Sequence, residues 1–401
     1  MSFRIRHLTK LRSLIEGSGR RIITNRQWTV LDSQLSNAEA RLLSRLKRAA
    51  NYFLPQVESQ KAARHLHDLL GEIELEMTRT YTFFDTYADV LSQRLAPGLG
   101  PSLAGCDVIA HDALYKDHPA LAMIEPPIVF CDRGFGASVL REGVMMPDNI
   151  PNPMPLIQIP YSRLNEKYNL TSIIHEAAHE AMVRLNLVRL LPKVFHEGLQ
   201  RAGASPEIRD LYCLWASEIG PDFWGFCASG LAQTGTIRDI LSLPRQHVLR
   251  VSWTDPHPPP YIRVLISIGC CRYKWGHGVW DEWENDWVNQ YPLENLTPRV
   301  KAIINQAIAL VPVITGLLFD TRYQTLGRRS IKDLFDLEQL NPTNIKKYAS
   351  ITELDYTLRK GLSPCAQFAI FRLWKEGNAV DEITLNNKMT RWLTRLGGMG
   401  A

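Results

Sequence analysis

The residues of this chain best suited to chemistry lie in the run Thr171-Ser172-Ile173-Ile174-His175-Glu176-Ala177-Ala178-His179-Glu180. Two histidines four positions apart, with a glutamate after the first, make the pattern H-E-x-x-H among residues that favour helix. On a helix, positions i and i+4 share a face. His175 and His179 can therefore offer ring nitrogens to one metal ion, while Glu176 projects beside it toward a bound water. The chemistry this suits is metal-assisted hydrolysis, with Zn2+ the expected ion. A catalytic zinc takes three protein ligands and keeps a position for water, so a third ligand is required. Glycine at position 182 and histidine at 185 would complete one known pattern, but the chain has Met182 and Leu185, which excludes that subclass. A carboxylate on a following helix remains, either Glu197 in Phe195-His196-Glu197-Gly198 or Glu218 in the segment running from Trp215 to Asp222. Glu218 is favoured because Asp222 lies one turn further on, where a second carboxylate can hold the free N–H of a metal-bound imidazole. Pro221, between the two, is awkward in a continuous helix.

With H-E-x-x-H followed by E-x-x-x-D, the sequence resembles the gluzincin metallopeptidases, most closely the branch of the CaaX prenyl endopeptidases and their soluble relatives. His257-Pro258 followed by Arg263 is similar to the H-P-x-x-x-x-R element that lies downstream in that branch, and the order agrees. The resemblance runs roughly from Leu156 to Arg263. It implies His175, His179 and Glu218 as zinc ligands, Glu176 as general base and Asp222 behind the ligands. It further implies His257 as stabiliser of the oxyanion and Arg263 as an electrostatic brace, in an enzyme acting on a protein or peptide substrate. The long step from His179 to Glu218, Pro221 within E-x-x-x-D and the lack of membrane helices depart from the branch. Two other readings stay open: a gluzincin-like scaffold for interaction or regulation that has lost turnover, and a helical binding protein with a chance H-E-x-x-H. Intact Glu176 argues against the first, and absence of stoichiometric zinc would favour the second.

The elements that must position these residues read as a predominantly helical α+β protein. A gluzincin-like core over residues 101–296, with a small sheet, follows a helical region over 1–100 and precedes another over 297–401. Ser36-Asn37-Ala38-Glu39 has the form of a capping box, and Leu66, Leu69, Leu70, Ile73 and Met77 recur at helical spacing. Two prolines and two glycines between Ala96 and Pro101 mark a boundary. Short apolar runs at 127–130 and 155–159 predict strands, and the second is expected to offer an edge on which an extended substrate adds as a further strand. Thr297 before Pro298 predicts a helix start. Trp280, Trp283 and Trp287 predict a buried stripe beneath an acidic face.

Composition narrows the class. At 401 residues and 45.6 kDa, 45% hydrophobic and 22% charged, with a mean hydropathy of -0.16, the chain matches ordinary soluble globular proteins rather than disordered or fibrous ones. A net charge of +5 does not by itself call for nucleic acid, and the basic N-terminal residues Arg4, Arg6, Lys10, Arg12, Arg20, Arg21 and Arg26 read as a solvated face. Seven irregularly spaced cysteines argue against a disulfide framework, and the N-terminus lacks the uninterrupted apolar core of a signal peptide, so a cytoplasmic location is expected. The apolar segment at 302–319 is broken by Asn305, Gln306, Pro312, Thr315 and Gly316, which predicts a core helix and no transmembrane span. The helical flanks offer surface for a regulatory partner.

Overall fold

The computed structural model describes residues 1–16, 22–56, 58–146, 149–349 and 361–399. Arg20 and Arg21 of the basic N-terminus lie outside them. The chain opens with two long helices, α1 (Asn25–Phe53) and α2 (Gln60–Ser92), packed together after short turns at Ser2–Arg6 and Leu11–Ile15. The capping box expected at Ser36 falls inside α1. The true start is Thr24, whose hydroxyl accepts from Gln27 N while the Gln27 side chain accepts from Thr24 N. The reason is burial: Trp28, Leu31, Leu35, Ala38 and Leu42 form one inward stripe that carries the helix through Ser36, leaving that serine exposed. On α2 the inward face is Ile73, Met77, Thr80, Phe83, Phe84 and Tyr87, and Leu66, Leu69 and Leu70 are half-buried. Arg4, Arg12 and Arg26 form ion pairs within the chain, with Glu74, Glu16 and Glu125.

The Pro/Gly stretch is the tight corner into α3 (Leu99–Leu114). Gly100 is needed there, since a Cβ would stand 2.1 Å from the carbonyl oxygen of Arg94. Three strands follow: β1 (Ile128–Asp132), β2 (Ser138–Leu140) and β3 (Leu156–Pro160). Their order is β1-β3-β2. β1 runs parallel to β3, with Val129 opposite Ile157, and β2 runs antiparallel to it, with Val139 opposite the same residue. The strand expected to offer an edge is thus the central one, paired on both sides. The edge toward the site belongs to β2, whose three residues give too short a pattern to read from sequence.

Six further helices build the central core: α4 (Thr171–Arg184), α5 (Leu187–Arg201), α6 (Pro206–Ser229), α7 (Leu231–Leu241), α8 (Pro260–Trp275) and α9 (Val279–Gln290). α6 is the axis. It packs against α4, α5, α7 and α8, and it continues through Pro221 although proline supplies no N–H to the carbonyl of Ser217. Almost every residue from Trp215 to Ser229 is buried, so packing on all sides holds the helix where its own hydrogen bonding is broken. Trp280, Trp283 and Trp287 are buried on α9, with Asp281 and Glu284 facing outward to Arg272.

The remainder packs into the same core. α10 (Pro298–Asp320) begins at Thr297, whose hydroxyl accepts from Val300 N. It is long and apolar enough to cross a membrane by length and composition, yet Ile304, Ala307, Ile314 and Leu318 are fully buried against α5 and α8. After α11 (Pro364–Glu376), the last helix α12 (Glu382–Met399) lies along α3. Gly105 and Gly397 allow that approach: a Cβ on Gly105 would stand 2.2 Å from the carbonyl oxygen of Leu393. One cluster of buried side chains runs from Leu103 to Leu396, so α3, α4 and the C-terminal helices share one interior. All seven cysteines are free, and six of them are buried.

Candidate metal centre

Two helices bring the candidate ligands together, each using one turn of its own repeat. α4 aligns His175 and His179, and α6, packed against it, aligns Glu218 and Asp222 against them. Met182 and Leu191 lie where a Cβ on Gly220 would fall, at 2.3 and 3.0 Å, so that glycine is part of the fit. His175 Nε2 lies 3.2 Å from His179 Nε2 and 3.2 Å from Glu218 Oε2, and His179 Nε2 lies 3.7 Å from Glu218 Oε1. Ligands at ~2.0–2.2 Å in tetrahedral array would be about 3.3–3.6 Å apart. The donor set fits. One atom from each of His175, His179 and Glu218 falls within 4.8 Å of the others, and this group could hold a metal ion. Glu197, the rival third ligand, is exposed on α5 and outside this group.

Around the three donors the partners are fixed. His175 Nδ1 lies 2.8 Å from Asp222 Oδ1, although the ring is not aligned for a straight hydrogen bond. Asp222 in turn accepts from Arg263 Nε at 2.6 Å and Nη2 at 2.9 Å, a two-pronged pair. Arg263 reaches it from the first turn of α8 and places Nη2 3.8 Å from Glu218 Oε2. Gln233 on α7 also donates to Asp222, at 3.5 Å. His257, on the loop before α8, has its Nε2 3.3 Å from Glu218 Oε2 and its Nδ1 2.8 Å from Asp255 Oδ1, with its side chain 53% exposed at the rim.

Charge in the cluster follows from burial and neighbours. Burial opposes a proton on His175, but Asp222 and Glu218 outweigh it and carry the imidazole up to about 10. Burial and the adjacent His175 charge push His179 down to about 4. Burial works to raise Glu218 and Asp222, yet both are held low, Glu218 by His175 and Arg263, Asp222 by Arg263 and His175. Glu176 goes the other way: burial raises its carboxyl, and Glu218 adds to the shift. A carboxyl raised in this way holds a proton more readily than an exposed one.

All seven residues singled out in the sequence, His175, Glu176, His179, Glu218, Asp222, His257 and Arg263, line one cavity of about 610 Å³. β2 supplies one wall through Ser138 and Val139, and α7 another through Ile237 and Ile240. Arg163, Ser172 and Gln233 line it as well, and sequence reasoning missed them. Arg163 sits in the connection between β3 and α4, where no motif marks it. Ser172 lay within the quoted run but outside its pattern.

No protein-family model, curated protein or solved structure matches this chain. The resemblance to gluzincins therefore stands on the motif residues and their spacing.

Proposed function

We propose that this chain is a zinc-dependent peptidase with a gluzincin-like site. The observation that carries the reading is the convergence of His175, His179 and Glu218, from two helices, in a cavity that also holds the buried carboxyl of Glu176. A scaffold without turnover needs the ligands but has no use for a base beside them.

Zinc held by His175, His179 and Glu218 would polarise the peptide carbonyl and lower the pKa of water. Glu176 takes the proton of the attacking water and returns it to the leaving amine, a shuttle its raised carboxyl favours. His257 presents Nε2 at the rim, braced by Asp255, and stabilises the oxyanion. Asp222 fixes the orientation of His175, and Arg263 keeps Asp222 ionised and in place. An extended peptide adds to the free edge of β2, beside the cavity, with its backbone paired to Ser138 and Val139. Seven free cysteines suit a reducing compartment, and we place the protein in the cytoplasm.

The test is metal content followed by turnover. Protein purified without added zinc should carry about one zinc per chain, and Glu218→Ala should lose most of it. Glu176→Gln should keep the metal and lose hydrolysis of a mixed peptide library. No zinc in the wild-type chain, even after reconstitution, would sink the reading.

A further inference from the structure

The wall of the cavity beyond the metal ligands carries buried polar atoms without partners among the described residues. Arg163 is only 8% exposed, and its Nε is buried with no hydrogen-bond partner among the described residues. Among the described residues its ion pair is Nη1 to Glu166 Oε2 at 3.3 Å, with a carboxylate that is 49% exposed. Arg263 is treated differently: its Nε and Nη2 both donate to the largely buried carboxylate of Asp222. The hydroxyl of Ser172, one turn before Glu176, is likewise buried without a partner and lines the same space. Ser172 stands in the first turn of α4, a 14-residue helix whose N-cap, Leu170, makes no side-chain cap. The Nε of a buried guanidinium and a buried hydroxyl, both without a partner among the described residues, thus line one cavity. Buried donors left in this way cost free energy unless a ligand satisfies them.

We propose that Arg163 and Ser172, at the start of α4, form a subsite for a substrate carboxylate. The inference rests on the peptidase reading and adds the substrate class to it. The shape and charge fit: a carboxylate takes two donors from a guanidinium, tolerates a hydroxyl beside them and is favoured at a helix N-terminus. Glu176, Glu218 and Asp222 line the same cavity and repel a second anion, so the carboxylate is held by Arg163 and Ser172. Ser172 precedes Glu176 by four residues, about 6 Å along the helix axis. An extended peptide advances ~3.3–3.6 Å per residue. The bound carboxylate therefore lies one or two residues from the scissile bond. It belongs either to the C-terminus of the peptide or to an Asp or Glu side chain.

The experiment measures binding and not turnover, with the zinc-loaded full chain carrying Glu176→Gln. Three pools of N-acetylated hexapeptides serve as probes: neutral sequences with a free C-terminal acid, the same sequences amidated, and amidated sequences with one internal Glu. Retention of at least one carboxylate pool about tenfold or more over the neutral amide pool is expected. The favoured pool names the source. Adding Arg163→Gln should abolish the preference, Ser172→Ala should reduce it about threefold, and the surface control Lys301→Gln should leave it unchanged. Zinc content and melting temperature monitor folding, and Ser172→Ala carries the test if Arg163→Gln does not fold. Equal retention of the three pools, or a preference that survives both substitutions, overturns the subsite. Arg163-dependent binding without hydrolysis by the wild-type chain would count against the peptidase reading alone, whereas hydrolysis indifferent to a carboxylate would count against the subsite alone.

Discussion

Asp222→Asn separates what the second carboxylate does for the metal from what it does for the fold. Asparagine keeps the shape but removes the charge that faces His175 Nδ1 at 2.8 Å and Arg263 at 2.6 and 2.9 Å. Carboxylates behind a metal-bound imidazole typically contribute 10- to 100-fold in metal affinity, which is ~1.4–2.8 kcal/mol. A buried ion pair that loses one partner typically costs ~3–5 kcal/mol in stability, because the other charge is left uncompensated. Here Glu218 still stands 3.8 Å from Arg263 Nη2, and the asparagine oxygen still accepts one hydrogen bond. The stability loss should therefore fall near ~2 kcal/mol, below that range. Competition with a chromogenic zinc chelator measures the first quantity, and urea unfolding of the metal-free chain the second. Adding Arg263→Met to Asp222→Asn should recover stability, since it removes the stranded charge, but should not recover zinc affinity. Zinc affinity within twofold of the wild type in Asp222→Asn would refute the argument that this carboxylate orients His175.

Three further predictions concern the frame around the site. Gly105→Ala should cost about 2 kcal/mol in urea unfolding, because its Cβ would stand 2.2 Å from the Leu393 carbonyl and helix backbones cannot yield as a side chain does; a neutral result would mean that α3 and α12 are not held in close contact. A thiol reagent at pH 8 should label Cys213 at most in the native chain and all seven cysteines in denaturant, since burial raises Cys131 to about 11 and Cys271 to about 12; rapid native labelling of further thiols would contradict that burial. His111 is pushed below its usual value by burial, so the unfolded chain binds its proton more readily. Stability should then fall as pH drops through the usual imidazole value, about 6.5, and should fall less in His111→Gln; identical acid limbs in the two proteins would exclude this contribution.

Legibility of the fold followed the range of the forces involved. The helices were readable because a stripe such as Trp28-Leu31-Leu35 repeats within one element and needs no partner to be recognised. Strands β1 and β3 were readable as apolar runs, but their order was not, since pairing is decided between segments distant in sequence. That is why the apolar run at 155–159 predicts an edge, whereas the edge beside the cavity is found on β2. The false cap at Ser36 shows local chemistry yielding to a longer apolar stripe. Pro221 is the converse case, a strong local breaker overridden by burial of nearly every neighbour along α6.

The same distinction explains which parts of the cavity were visible in advance. His175, Glu176 and His179 sit on one turn, and Glu218 with Asp222 on another, so their spacing alone puts each group on a single helix face. Arg263 and His257 required the order of a longer motif. Arg163 and Ser172 have no spacing that marks them, because what distinguishes them is an absence: buried donors without acceptors, a property that exists only after the chain has folded. The donor group that could hold a metal, assembled from helical repeats, is therefore legible in the sequence, whereas the proposed carboxylate subsite is made by tertiary packing. Substitutions at the ligands should remove zinc whatever peptide is offered. Substitutions at Arg163 should leave zinc in place and change which peptides are held, and a parallel loss of both in Arg163→Gln would show that metal binding and peptide selection are not separable.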